Sequence, residues 1–254
     1  MANDHGKVVS LSRLRYLEKE GFMREMTEEV FLKDVSTHAM EVLKDDGVYR
    51  HLRFASKGEH PWNQWFAIVT WPGYLAFSGD MGCFVFSRLW DMFTFFRTDR
   101  RDSGKLNINL GYWSEKLEAV DSNGRHGSGA TEFSAAKFKA LVDEHVNQWI
   151  EDFDGEYDSS EEEIASQRQV FAAGLRAAIE VDVLHFADDG EQVAHEVLRD
   201  FSCKINGQKF EFSDTWEWDL KDYTFRFVWC CYAIAWAIKQ YDESKAEPIQ
   251  EQVA

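Results

Sequence analysis

Two turn signals inside one apolar stretch constrain this chain more than anything else in it. Residues 65–97 read WFAIVTWPGYLAFSGDMGCFVFSRLWDMFTFFR, and Trp71-Pro72-Gly73-Tyr74 and Gly79-Asp80-Met81-Gly82 cut the stretch into short apolar runs. Proline presets φ for the second position of a turn and glycine supplies the positive φ of the third, so Pro72-Gly73 reads as a type II turn. The spacing predicts an antiparallel β-meander with strands over 65–71, 74–78 and 83–87, and a helix over 89–97 beside it.

Upstream, residues 1–10 look frayed, and Leu11, Leu14, Tyr16 and Leu17 mark a short amphipathic helix stopped by Gly21. Thr27 reads as the N-cap of a helix reaching Leu43, ended by Asp45-Asp46-Gly47. A strand over 48–55 and a loop over 56–61 lead into the meander. Downstream, the alternation in LNINLGYW (106–113) suggests a strand, and DSNGRHGSG (121–129) a loop. Helical periodicity covers 131–153, with Phe138, Val142, His145, Val146 and Trp149 on the stripe. Ser160 and Glu163 form a capping-box signature for a second long helix, and 190–201 predicts a third. Asn206-Gly207 is a type I′ hairpin signal. The segment over 222–241 is apolar on nearly every side and predicts a buried C-terminal helix.

The fold class expected is therefore α+β, a mostly antiparallel sheet (meander around 64–87) with helices on one face. One domain is expected over 1–242, with a disordered tail over 243–254. The acidic segment 151–163 is the best candidate boundary inside it.

Charge narrows the function classes. The 254 residues carry 45 acids against 28 Lys and Arg, a net of −17, so direct binding to DNA, RNA or an anionic membrane is disfavoured. A basic protein partner is favoured instead. The longest apolar run, 227–238, is too short to span a bilayer. The N-terminal residues lack the pattern of a signal peptide, so an intracellular protein is expected. Cys83, Cys203, Cys230 and Cys231 form no C-x-x-C pair and read as buried thiols of a reducing compartment.

Three constellations could carry chemistry. Glu151, Asp152, Asp154, Glu156, Asp158, Glu161, Glu162 and Glu163 place eight carboxylates in thirteen residues with no cation among them. Such a run is a solvated loop and helix start, or a partner surface whose carboxylates imitate phosphates. Its spacing mimics an EF-hand, but Tyr157 stands where that loop needs glycine, and no metal is expected. The second constellation is Asp80 in its glycine-flanked turn. The third is the basic cluster Arg97, Arg100, Arg101 and Lys105, a phosphate- or carboxylate-binding patch. The eight histidines show no metal spacing, nucleotide and nucleophile motifs are absent, and no cofactor is expected. Trp216-Glu217-Trp218 and the aromatic residues of the C-terminal helix read as core.

The segments TWPGYLAFSGDMGCFVFSRLWDMFTFFR (70–97) and DTWEWDLKDYTFRFVWCCYAIAWAIKQYD (214–242) resemble a family of uncharacterised proteins of tailed bacteriophages and prophages. The resemblance implies a phage accessory protein in the cytoplasm of a bacterial host, a group whose members often neutralise host defences. The function expected is an acidic binding protein that inhibits a host defence complex, of anti-CRISPR or anti-restriction type. It would occupy a basic nucleic-acid-binding site as a nucleic-acid mimic. The alternative is a phage enzyme acting on a nucleotide, nucleic acid or signalling molecule through Asp80 and the patch from Arg97 to Lys105. A third reading is a regulatory or scaffolding protein whose aromatic residues form a homo-oligomer interface.

Overall fold

The computed structural model describes residues 25–58, 60–99, 104–121, 129–153 and 160–246. Where the sequence predicts one domain over 1–242, the chain packs as two compact units: Met1–Gly127 with Phe225–Ala254, and Ser128–Thr224, which is inserted between them.

The first unit is a six-stranded sheet with β1 (His38–Asp46), β2 (Tyr49–Ser56), β3 (Phe66–Trp71), β4 (Tyr74–Gly79), β5 (Gly82–Ser87) and β6 (Leu117–Val120) in that order. Every neighbouring pair is antiparallel. Two-residue connections at Pro72-Gly73 (Gly73 φ 84°) and Asp80-Met81 set the meander's register, pairing Trp71 with Tyr74 and Gly79 with Gly82. Gly79 has a steric reason as well. A Cβ there would overlap the Trp65 carbonyl oxygen and crowd Phe66 Cα, so β4 can end opposite Phe66 only as glycine.

Side chains alternate across a strand, so the register sorts one apolar face. Leu52, Ile68, Phe77 and Phe84 form one buried row, and Phe54 and Phe66 begin the next. Over this face lies the C-terminal helix α7 (Phe225–Ala246). Its Trp229 is fully buried, with ring centroids 5.2 Å from Phe31 and 5.7 Å from Phe66. The Trp229 Nε1–H donates to Asp34 Oδ2 at 3.1 Å, which keeps the one polar atom of that indole satisfied. Phe227 packs on Phe84, and Trp236 on Phe54. Among the described residues, three short helices, α1 (Glu28–Asp34), α2 (Met92–Arg97) and α3 (Leu110–Ser114), also belong to the unit. Among the described residues no helix is long and apolar enough to cross a membrane.

The second unit pairs β7 (Thr131–Phe133) with β10 (Lys221–Tyr223), and β8 (Ser202–Ile205) with β9 (Gln208–Glu211). Its helices are α4 (Ala135–Glu151), α5 (Glu161–Asp182) and α6 (Glu191–Asp200). The buried stripes of all three meet in one core with Phe201, Phe210 and Leu220. Ser160 and Glu163 make the full capping box, and Asn206 (φ 49°) with Gly207 (φ 86°) turns the β8–β9 hairpin, as the sequence predicts.

Five expectations need correction. The helix from Thr27 to Leu43 stops at Asp34, and residues 38–46 are β1; Asp46-Gly47 is a hairpin turn (Gly47 φ 60°), a signal that also ends helices. Residues 106–113 are not a strand, because Asn109 Oδ1 accepts from the Tyr112 N–H and caps α3. Residues 131–133 are β7, and Ser134 caps the helix after them. Cys83 is exposed, and it is only Cys230 and Cys231 that are fully buried, where burial pushes both thiols well above their ordinary pKa. Of the expected tail, residues 243–246 belong to α7, and 247–254 lie outside the described residues.

Candidate partner-binding surface

The two units carry very different charge. Ser128–Thr224 holds 23 Asp and Glu against 8 Lys and Arg, a net of −15. The remainder holds 22 against 20, a net of −2. Nearly all of the chain's surplus is thus placed on one unit of 97 residues. Like charges at that density repel, and they weaken the unit that holds them.

Within the acidic cluster, the structure separates structural from solvated carboxylates. Glu163 is spent on the capping box: its Oε2 accepts from the Ser160 N–H at 2.8 Å, and these hydrogen bonds hold its pKa below the ordinary value. Asp152 Oδ2 accepts from Gln148 Nε2 at 2.9 Å at the end of α4. Glu151, Glu161 and Glu162 are exposed, the last two in the first turn of α5, where the helix dipole favours them. Asp154, Glu156 and Asp158 lie outside the described residues.

A second group of acids does not stand out in the sequence. Asp182, Glu196 and Asp200 line an open cavity of about 410 Å³ whose walls include Phe186, Val193 and Val197. Asp182 ends α5 while Glu196 and Asp200 sit one turn apart on α6, so the three come together only once both helices are placed. The i, i+4 spacing of Glu196 and Asp200 was the one signal in the sequence. Asp200 already accepts from Arg199 Nε and Nη2 at 2.8 and 3.2 Å, and carboxylates over an apolar wall suit the methylene stem and cationic head of a further Lys or Arg side chain.

Asp80 and the basic patch do not form one cleft. The Asp80 carboxylate accepts from the Gln64 N–H at 3.1 Å, holding Gln64 at φ 53°, and its carbonyl accepts from Arg226 Nη1 at 2.9 Å. Arg97 forks onto Asp242, with Nε and Nη2 donating at 2.9 and 2.6 Å. Arg226 and Asp242 are 16 residues apart on α7, which at ~1.5 Å per residue separates the two places by about 24 Å. Lys105 lines a cavity with Lys239 and Asp242, so this member of the patch shares with Arg97 the neighbourhood of Asp242. Arg100 and Arg101 lie outside the described residues. Among the described residues no group of three or more His, Cys, Asp or Glu is arranged to hold a metal ion.

His145 faces Phe210, Phe212 and Trp218, with ring centroids 6.2, 5.4 and 5.5 Å away, and among the described residues its Nε2 has no hydrogen-bond partner. Burial pushes its pKa down. His38 is lowered by burial too, against the opposing hydrogen bond to the Gln64 carbonyl and the charge of Asp34. Because the unfolded chain protonates these rings first, stability is full above the ordinary value of about 6.5 and is lost as pH falls below it. The thermal midpoint should therefore drop between about pH 7 and pH 5, above the range where most carboxylates titrate. His145→Phe should drop less; an equal drop would remove His145 from the account.

No family model, curated protein or solved structure matches this chain.

Proposed function

We propose that this chain is a binding protein whose acidic unit occupies the nucleic-acid site of a basic protein, such as a host defence complex. The observation that carries this reading is the partition of charge, −15 on Ser128–Thr224 against −2 elsewhere. A need for solubility alone would be met by charge spread over both units. Confining it to one unit adds self-repulsion there, and a cationic recipient offsets that cost on binding. The resemblance of segments 70–97 and 214–242 to a phage family supports the anti-defence setting.

The enzyme reading has less support, because Asp80 is engaged with backbone and stands at the other end of α7 from Arg97. The test is capture from a bacterial lysate by the immobilised chain. A basic nucleic-acid-binding protein should be retained at about 0.05 M salt and released as the Debye length falls to ~3 Å near 1 M. Recovery of no such protein, or of partners indifferent to salt, overturns the proposal.

A further inference from the structure

The sheet of the first unit has a second face, opposite the one that α7 covers. The register assigns it three rows. They are Trp71, Tyr74 and Ser87; Lys44 at the β1 edge, then His51, Val69, Ala76, Val85 and Ala119; and Glu41, Arg53, Ala67, Ser78 and Cys83. An antiparallel sheet with one face in water ordinarily alternates apolar with polar residues. This one does not. Across β3, β4 and β5 none of the nine outward positions is charged, in a chain with 29% charged residues.

The shape of this face is as unusual as its chemistry. Alanine, serine, cysteine and valine keep its centre flat, and Val69, Ala76 and Val85 are half-buried there. At one end Trp71 and Tyr74 stack at 5.3 Å with their rings 15° apart, 36% and 38% exposed. Trp90, 72% exposed, follows on the same border, its carbonyl accepting from the Gly73 N–H at 3.0 Å. At the β1–β2 side, Glu41 and Arg53 pair at 3.4 Å and supply a polar rim. An uncharged centre, an aromatic border and a charged rim are the parts of a protein–protein interface.

We infer that this face is where two copies of the chain meet, sheet against sheet. Charge selects that occupant. A cationic partner of the kind proposed above is drawn to carboxylates, and the centre of this face offers none. A two-fold contact sets a surface against itself, so any charge near its centre meets its own kind; a chargeless centre is what such a contact requires. Flat antiparallel sheets stack about 10 Å apart, and small side chains permit that approach. Five strands at ~4.8 Å and five residues at ~3.3 Å give a footprint of roughly 400 Å² per copy, which the Trp and Tyr rings enlarge. That is about half the standard size, in the range of weak and transient contacts, so the dimer expected is a weak one. The inference uses residues of the first unit alone and stands whether or not the acidic unit binds a basic protein.

Sedimentation velocity of the full chain from about 1 to about 100 µM tests it. The mass should rise with concentration from 29.5 kDa towards twice that value. Val85→Lys and, separately, Ala76→Arg should weaken association at least tenfold while keeping the wild-type circular dichroism spectrum. Val170→Lys, at an exposed position of α5, should associate like wild type. A wild-type chain that stays monomeric at the highest concentration overturns the inference. So does a dimer that Val85→Lys and Ala76→Arg leave intact. A monomer whose Val85→Lys variant melts lower would assign the face to a segment of the same chain, and overturns it too. If Val85→Lys fails to fold, the wild-type mass and Ala76→Arg decide.

Discussion

Asp91→Ala is expected to cost about 3 kcal/mol of stability and to lower the thermal midpoint by roughly 6–12 °C. The cost follows from what the carboxylate holds. Arg50, on β2, is 8% exposed, and its Nη1 and Nη2 donate to Asp91 Oδ1 and Oδ2 at 2.9 and 3.0 Å. Oδ1 also accepts from the Phe93 N–H at 2.9 Å, making Asp91 the N-cap of α2. The guanidinium lies 4.5 Å from the Phe93 ring centroid and 5.6 Å from that of Tyr241, and among the described residues its Nε has no hydrogen-bond partner. Truncating Asp91 strands a buried cation and uncaps a helix in one step.

Burial alone would raise the Asp91 carboxyl, but the hydrogen bonds from Arg50 and Phe93 and the nearby charges of Arg50 and Arg97 hold it below its ordinary value. The pair's contribution is therefore full above about pH 4 and is lost as pH falls further. Asp91→Ser restores the cap without the charge and should recover about 1 kcal/mol of the loss. Adding Arg50→Met to Asp91→Ser should recover most of the remainder, since removing both charges leaves none unpaired. Urea unfolding of the four proteins measures all of this, and a loss below about 0.5 kcal/mol for Asp91→Ala would refute the assignment.

The other large effect concerns binding. Changing Glu161, Glu162, Asp188 and Glu196 together to amides should slow association with the captured basic partner about tenfold at low salt. All four are exposed, so folding should be unaffected. The matched set Asp46, Glu115, Glu118 and Glu243 in the first unit removes as much net charge and should change the rate little. Steering acts through the local field, so position decides where total charge does not. Equal slowing by both sets would reduce the acidic unit to a share of the overall charge. Stopped-flow association at two ionic strengths separates the outcomes.

Much of the first unit was legible because turn chemistry is local. Pro72-Gly73 and Gly79 to Gly82 fix the β3–β5 register without reference to any distant residue. The strand β1 was not legible, since Asp46-Gly47 serves a hairpin and a helix end equally well, and Val42-Leu43 suits both periods. Tertiary pairing with β2 decided it. The partner surface was half legible. The run over 151–163 stands out in composition, yet Glu163 and Asp152 in it are occupied locally. The charge partition could not be read, because it depends on a boundary at Ser128 and a return at Phe225 that only the packing of α7 on the sheet reveals. The acidic run over 151–163, the best candidate boundary on composition, lies between two helices of one unit.

The most direct test is a competition. The basic partner is loaded with its own duplex or guide, and the intact chain is titrated in while bound nucleic acid is followed by fluorescence anisotropy. Occupation of one shared site predicts complete displacement, with an apparent affinity that weakens in proportion to added nucleic acid. A stable ternary complex, with nucleic acid still bound at saturating protein, would contradict it.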